Sequence, residues 1–221
     1  MSFPILFKDE LKGFYKSNIM IFLWIGLPIV SILLYIWSPD TSGEIPSSAL
    51  FATMMSSLGG SLAGIMITVH LIHEKTRHVY ELFLVRPVKR KNLLLSKFLA
   101  VLICVAVACA LSLLLGLLID YVHRGSISQE IIKTAYESFG LSLATMASWC
   151  AAGVLVGVVA PSVLVGVILI IFVVNNITSI ALLLPIMLKF SYSILYSILL
   201  SVILAFVFLI SAIFIFNKKQ F

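Results

Sequence analysis

His70, His73 and Glu74 form the densest group of side chains in the sequence with chemistry to offer. The two histidines lie one helical turn apart, a spacing at which two imidazoles on one face can share a metal ion. The pattern is not H-E-x-x-H, however, and His73 and His78 do not share a helical face. Histidine at a surface or interface is the commoner case, so no metal is expected. Asn175 and Asn176 lie inside a long apolar run. Either they line a translocation path or permit a break in a helix, or they hydrogen-bond to neighbouring helices. Cys104, Cys109 and Cys150 also fall in apolar runs without metal-site spacing, and read as small packing residues. No nucleophile, base and orienting group can be assembled, so no catalytic residue is expected. The sequence has no G-x-x-x-x-G-K-[ST] loop, so it cannot hold ATP in the P-loop manner, and no cofactor is expected on this chain.

The elements that must position these residues are set by hydropathy. Of the 221 residues, 62% are hydrophobic and 11% are charged, against about 25% charged in soluble domains. One soluble core cannot hide so much apolar surface, and lipid is the alternative solvent. Six apolar stretches, at about 18–37, 49–72, 93–119, 135–160, 162–182 and 192–216, each reach the roughly 20 residues that cross a hydrocarbon core. The first lacks a small-residue cleavage site and reads as a retained helix, not a signal peptide. Pro161 separates the fourth from the fifth, because a helix does not continue unperturbed through proline. The expectation is an all-α membrane protein, residues 1–221 forming one transmembrane domain of six helices.

The charges orient it. Lys8, Lys12 and Lys16 precede the first span, Lys75, Arg77, Arg86, Lys89, Arg90, Lys91 and Lys97 lie between or beside the second and third, and Lys218 and Lys219 follow the sixth. The other loops share Arg124, Lys133 and Lys189, so 12 of the 15 basic residues fall on one side. The positive-inside rule places that side, with both termini, in the cytoplasm of a cell-membrane protein. Trp37, Tyr121, Tyr136 and Tyr192 fall at expected interfaces. The net charge of +6 is thereby explained by topology, and no nucleic-acid partner is implied. No Asp, Glu, Lys or Arg falls near the middle of a span, with Lys97, Asp120 and Glu137 at span ends. A proton- or sodium-coupled mechanism therefore has no evident carrier.

Two further elements stand outside the spans. In residues 3–16, Pro4 suits a first helical turn, and Phe7, Leu11 and Phe14 recur at helical spacing with charges on other faces. This predicts an amphipathic helix at the inner lipid interface. Small residues spaced by four, Ser56/Gly60/Gly64, Ala108/Ser112/Gly116 and Gly153/Gly157, predict faces of close helix approach, by default within one bundle.

The loop from His73 to Lys97 carries most of the functional signal. Val79, Leu82 and Phe83 follow helical spacing, with Glu74, Arg77 and Glu81 on other faces, and Glu74 can pair with Arg77 or His78 across one turn. Pro87 ends the short helix. A short amphipathic helix along the membrane presents a face to something cytoplasmic. The stretch resembles the cytoplasmic loop of type-2 ABC exporter permeases. Glu74 stands on the leading acid and Glu81 on the second, Leu82 and Phe83 supply the apolar pair, Pro87-Val88 the P-V step, Arg90 the basic position, and Leu94 and Lys97 the end of the pattern. His78 and Val79 replace the usual G-T, and Ser96 replaces the glycine before the lysine.

The resemblance implies a non-catalytic permease subunit of an ATP-driven exporter. ATP and Mg would be held by a separate ABC ATP-binding subunit, and a second permease chain, the same or different, would complete the transmembrane unit. Residues 74–85 would be the coupling helix, with Glu74, Arg77, His78, Glu81, Leu82, Phe83, Arg86 and Pro87 at the docking surface. A re-entrant stretch between the last two spans would fall at about 176–189. The uncharged span interiors favour a lipidic, amphipathic or drug- or peptide-like cargo over a small ion. The competing readings are a six-span channel or scaffold not coupled to an ATPase, and a membrane-embedded enzyme.

Overall fold

The computed structural model describes residues 3–37, 55–77, 90–124, 129–188 and 192–218. Helix α1 (Phe3–Tyr15) is followed by α2 (Asn18–Trp37). A π-helical turn, Met55–Gly59, leads into α3 (Gly60–Thr76). Two long helices follow, α4 (Arg90–Arg124) and α5 (Gln129–Val159), then α6 (Val163–Ile168). A second π-helical segment, Leu169–Val174, joins α6 to α7 (Asn175–Met187), and α8 (Ser193–Lys218) ends the described chain. No strand occurs among the described residues.

Five helical stretches among the described residues are long and apolar enough to cross a membrane: Ser56–Thr76, Lys91–Ile119, Ile131–Val159, Val163–Leu182 and Ser193–Lys218. They correspond to the second to sixth expected spans. The first coincides with the 20-residue α2. Helices α4 and α5, of 35 and 31 residues, outrun the apolar stretches at 93–119 and 135–160. Hydropathy marks the part that needs lipid, whereas the backbone stays helical into polar surroundings, where Lys133 and Glu137 face each other one turn apart.

The break at Pro161 is present. Helix α5 stops at Val159, Ser162 takes an extended conformation, and its hydroxyl accepts from the Val165 N–H, capping α6. Lys75 at the end of α3 donates to the Ala160 carbonyl at 3.3 Å, filling an acceptor that the helix end leaves open. Residues Asn175–Met187 are continuous helix with Pro185 inside it. The irregular backbone lies earlier, in the π-helical segment.

Helix α5 is the most enclosed of the five and packs against both α3 and α8. Small residues make the α3–α5 contact. A Cβ on Gly153 would stand 2.5 Å from the Gly64 carbonyl oxygen, and one on Gly60 2.6 Å from the Trp149 ring. Thr68 Oγ1 lies 2.9 Å from the carbonyl oxygens of both Gly64 and Gly153, closing the seam with a hydrogen bond between helices. The small-residue faces on these two helices thus pack against each other within the chain, without a hydrophobic drive between helices in lipid. Trp24 Nε1 donates to the Cys104 carbonyl at 3.0 Å and ties α2 to α4. The cysteines are buried and unbonded, as packing residues.

Gly153→Val should therefore lower the heat-denaturation midpoint of the detergent-solubilised protein, with an overpacking cost of about 1–3 kcal/mol. Gly140→Ala, whose Cβ would meet only Ile198 Cδ1 at 3.5 Å, should leave it nearly unchanged.

Candidate functional site

Lys97 lies in the first turns of α4, and only 1% of its side chain is exposed. An ammonium in such a place is tolerable only if paired and hydrogen-bonded. Its Nζ donates to Glu10 Oε1 of α1 and to Glu74 Oε1 of α3, each at 2.6 Å. His70 Nε2 stands 3.2 Å from Glu74 Oε1 and 4.0 Å from Glu10 Oε2. The Phe14 ring meets the His70 imidazole edge-on, with centroids 5.0 Å apart. Helical spacing explains the convergence. Glu10 and Phe14 are four residues apart on α1, and His70 and Glu74 are four apart on α3, so each helix offers one carboxylate and one ring from one face. Helix α1 runs along α4 with Leu6 and Phe14 buried and Phe7 and Leu11 packed against the core.

The residues singled out from the sequence part company here. Glu74, expected to pair with Arg77 or His78, has its carboxylate taken by Lys97 and His70. Arg77 is exposed at the end of α3. His78, Glu81, Leu82, Phe83, Arg86 and Pro87 lie outside the described residues. Glu10 was not singled out, although the sequence held a signal for it. Leu6, Glu10 and Phe14 fall on one helical stripe, so Glu10 is an acid within an apolar face, as Lys97 is a base at the edge of an apolar run.

A second feature is a cavity of about 240 Å³ between the π-helical turn before α3, α5 and α7. The irregular stretch Met55–Gly59 contributes Ser56 and Ser57 to it, and the other, Leu169–Val174, ends immediately before its lining residue Asn175. Such π-helical turns inside α-helices frequently mark functional sites. Thr145 and Thr178 also line it, and their hydroxyls bond carbonyls of their own helices. This leaves hydroxyl oxygens as acceptors, and Trp149 forms part of the wall. No ionisable side chain is among its described lining residues. Asn175 lines the cavity, whereas the Asn176 amide donates to the Phe172 carbonyl of its own chain segment.

Lys97→Met leaves two carboxylates facing each other in a buried place and should cost about 3–5 kcal/mol of stability. Replacing Glu10 and Glu74 with Gln in the same chain should recover part of that loss, measurable as heat-denaturation midpoints of the purified variants.

The model of a family described as ABC-2 family transporter protein matches residues 5–149, from α1 through most of α5, including all three helices of the ionic cluster. No curated protein sequence matches the chain. Families of this kind supply the membrane component of a transporter, in general associated with an ATP-binding subunit. With five helices able to cross a membrane and a match over well over half its length, this chain belongs to the ABC-2 family of transporter membrane proteins.

Proposed function

We propose that the chain is the permease subunit of an ATP-driven exporter, moved by a separate ATP-binding subunit that docks on the loop between α3 and α4. The observation that carries this reading, beside family membership, is the position of the ionic cluster. Glu74 and Lys97 stand at the two roots of that loop and are 2.6 Å apart, with Glu10 of α1 on the same ammonium. A push on the loop then acts on α1, α3 and α4 as one body, the rigid-element displacement by which a switching protein passes on a local change.

On this reading α2 is the first of six spans, α1 lies at the inner lipid surface, and both termini are cytoplasmic. Helix α3 leads from the ionic cluster to the cavity at Ser56 and Asn175, which serves the translocation path. A second permease chain completes the path, and ATP and Mg act on the partner subunit. The cavity is uncharged, its leucine and tryptophan walls interspersed with hydroxyls and one amide, which favours an uncharged or amphipathic cargo over a bare ion.

Co-expression with the ATP-binding subunit tests the docking. Glu81→Ala combined with Leu82→Asp should abolish co-purification and the permease-dependent rise in ATPase activity, while the heat-denaturation midpoint of the permease stays put. Unchanged assembly and unchanged coupled ATPase activity would overturn the docking assignment. Asn175→Leu should do the reverse, preserving the complex while slowing export from reconstituted vesicles several-fold.

A further inference from the structure

A groove of about 680 Å³ runs between α1, α2 and α3. One end is polar, formed by Glu10, His70 and His73. Ser17 and Asn18 also line it, and the remainder is apolar, with Phe22, Leu62 and Val69 on its walls. From Leu62 to His73 a helix advances about 16 Å, long enough for a dodecyl chain laid along α3. Phe22, on the wall contributed by α2, is exposed. The volume lies within the range of about 300–1,000 Å³ common for small-molecule sites.

The charge at the polar end selects the headgroup. The described part of the groove is lined by a carboxylate and no Lys or Arg, in a chain whose net charge is +6. Behind it two carboxylates share one ammonium, and Lys97 contacts only one oxygen of each. Glu74 Oε2 is buried without a hydrogen-bond partner among the described residues. Glu10 Oε2 has His70 Nε2 at 4.0 Å, beyond hydrogen-bonding range. Glu10, Glu74 and Lys97 thus set two carboxylates against one ammonium, an imbalance of formal charge. A second ammonium at Glu10 balances it, and an apolar trough leads away from that point.

We infer that this groove binds a single-tailed cationic amphiphile, its ammonium head on Glu10 and its tail along Phe22, Leu62 and Val69. The site rests on this geometry. Its role as the place where cargo is first held rests on the permease reading and deepens it by naming a cargo class.

The test uses the full chain in nanodiscs of phosphatidylcholine, without any ATP-binding subunit. Three probes carry the same photoreactive dodecyl tail and differ only in the head: primary ammonium, alcohol or carboxylate. Adducts are located by mass spectrometry. The ammonium probe should label the peptides holding Phe22 and residues 62–73 about tenfold more than the carboxylate probe, as expected for a charge-assisted hydrogen bond. Glu10→Gln should bring the ammonium probe down to the level of the alcohol. Val69→Trp, which fills the trough and leaves the ionic cluster in place, should abolish labelling there with an unchanged heat-denaturation midpoint, so a folding defect in the first variant does not obscure the result. Equal labelling by all three probes, or labelling that survives Val69→Trp, overturns the inference. So does a disulfide between two copies through Phe22→Cys, which would make the groove an interface of this chain with itself. Because the labelling involves no ATPase, these results leave the docking experiment independent: binding with no ATPase complex overturns the permease reading alone, and a coupled complex without selective labelling overturns this inference alone.

Discussion

A buried ammonium constrains the rest of this structure. Lys97 is buried, so it needs carboxylates brought to it, and they come from helices far away in sequence. Glu10 is 87 residues distant and Glu74 is 23. Apolar helices in lipid gain little from hiding one another, and their mutual register is set by close packing and by polar contacts. Two bonds of 2.6 Å to one Nζ fix α1, α3 and α4 at a single point. Helix α1 is thus more than an amphipathic addition to the bundle. Its Leu6–Glu10–Phe14 stripe is shaped to the protein beneath it, with Lys8 and Lys12 left exposed.

Helix α3 takes part in three further contacts. At one end Glu74 joins the ionic cluster and Lys75 caps the carbonyl end of α5. In its middle Gly64 meets Gly153 at a distance that admits no side chain, and Thr68 bridges the two backbones. At the other end it runs back through a π-helical turn into the uncharged cavity. From Glu74 to Ser56 is 18 residues, about 27 Å of helix. One rigid rod therefore spans the distance between the ionic cluster and the cavity.

Hydropathy made the helical class, five of the expected spans and the break at Pro161 legible, since each depends on neighbours in sequence. The family was legible for a related reason: a run of residues in one loop resembled it, and the family model matches residues 5–149 around that loop. What escaped was long-range or conformational. Lys97 reads as the polar end of a span until the structure places Glu10 against it, and no local pattern records a partner 87 residues away. Glu74 reads as a surface acid of the loop, although its carboxylate turns inward to Lys97. The π-helical segment Leu169–Val174 is a plain apolar run, Leu-Ile-Ile-Phe-Val-Val, with nothing in residue type to separate it from the α-helix on either side. Ile170 and Val174 are the two residues of the segment that are buried.

The distribution of polarity bears on how such a membrane component works. Ionisable groups gather at one end of α3, where the ionic cluster holds helices together, whereas the described cavity at the other end offers only hydroxyls, an amide and an indole. Strong charge at depth would bind an ion tightly and demand compensation whenever it left. Hydroxyls already engaged with their own helix carbonyls ask for little in return, and a site meant for passage must release what it receives. Such a cavity cannot by itself favour one direction. On the proposed reading the bias arrives from outside the chain, through a loop rooted in Glu74 and Lys97, and the ionic cluster gives that loop a firm base. The strength of the one site and the weakness of the other are complementary: a transmitting end has to hold its geometry, and a conducting end has to let go.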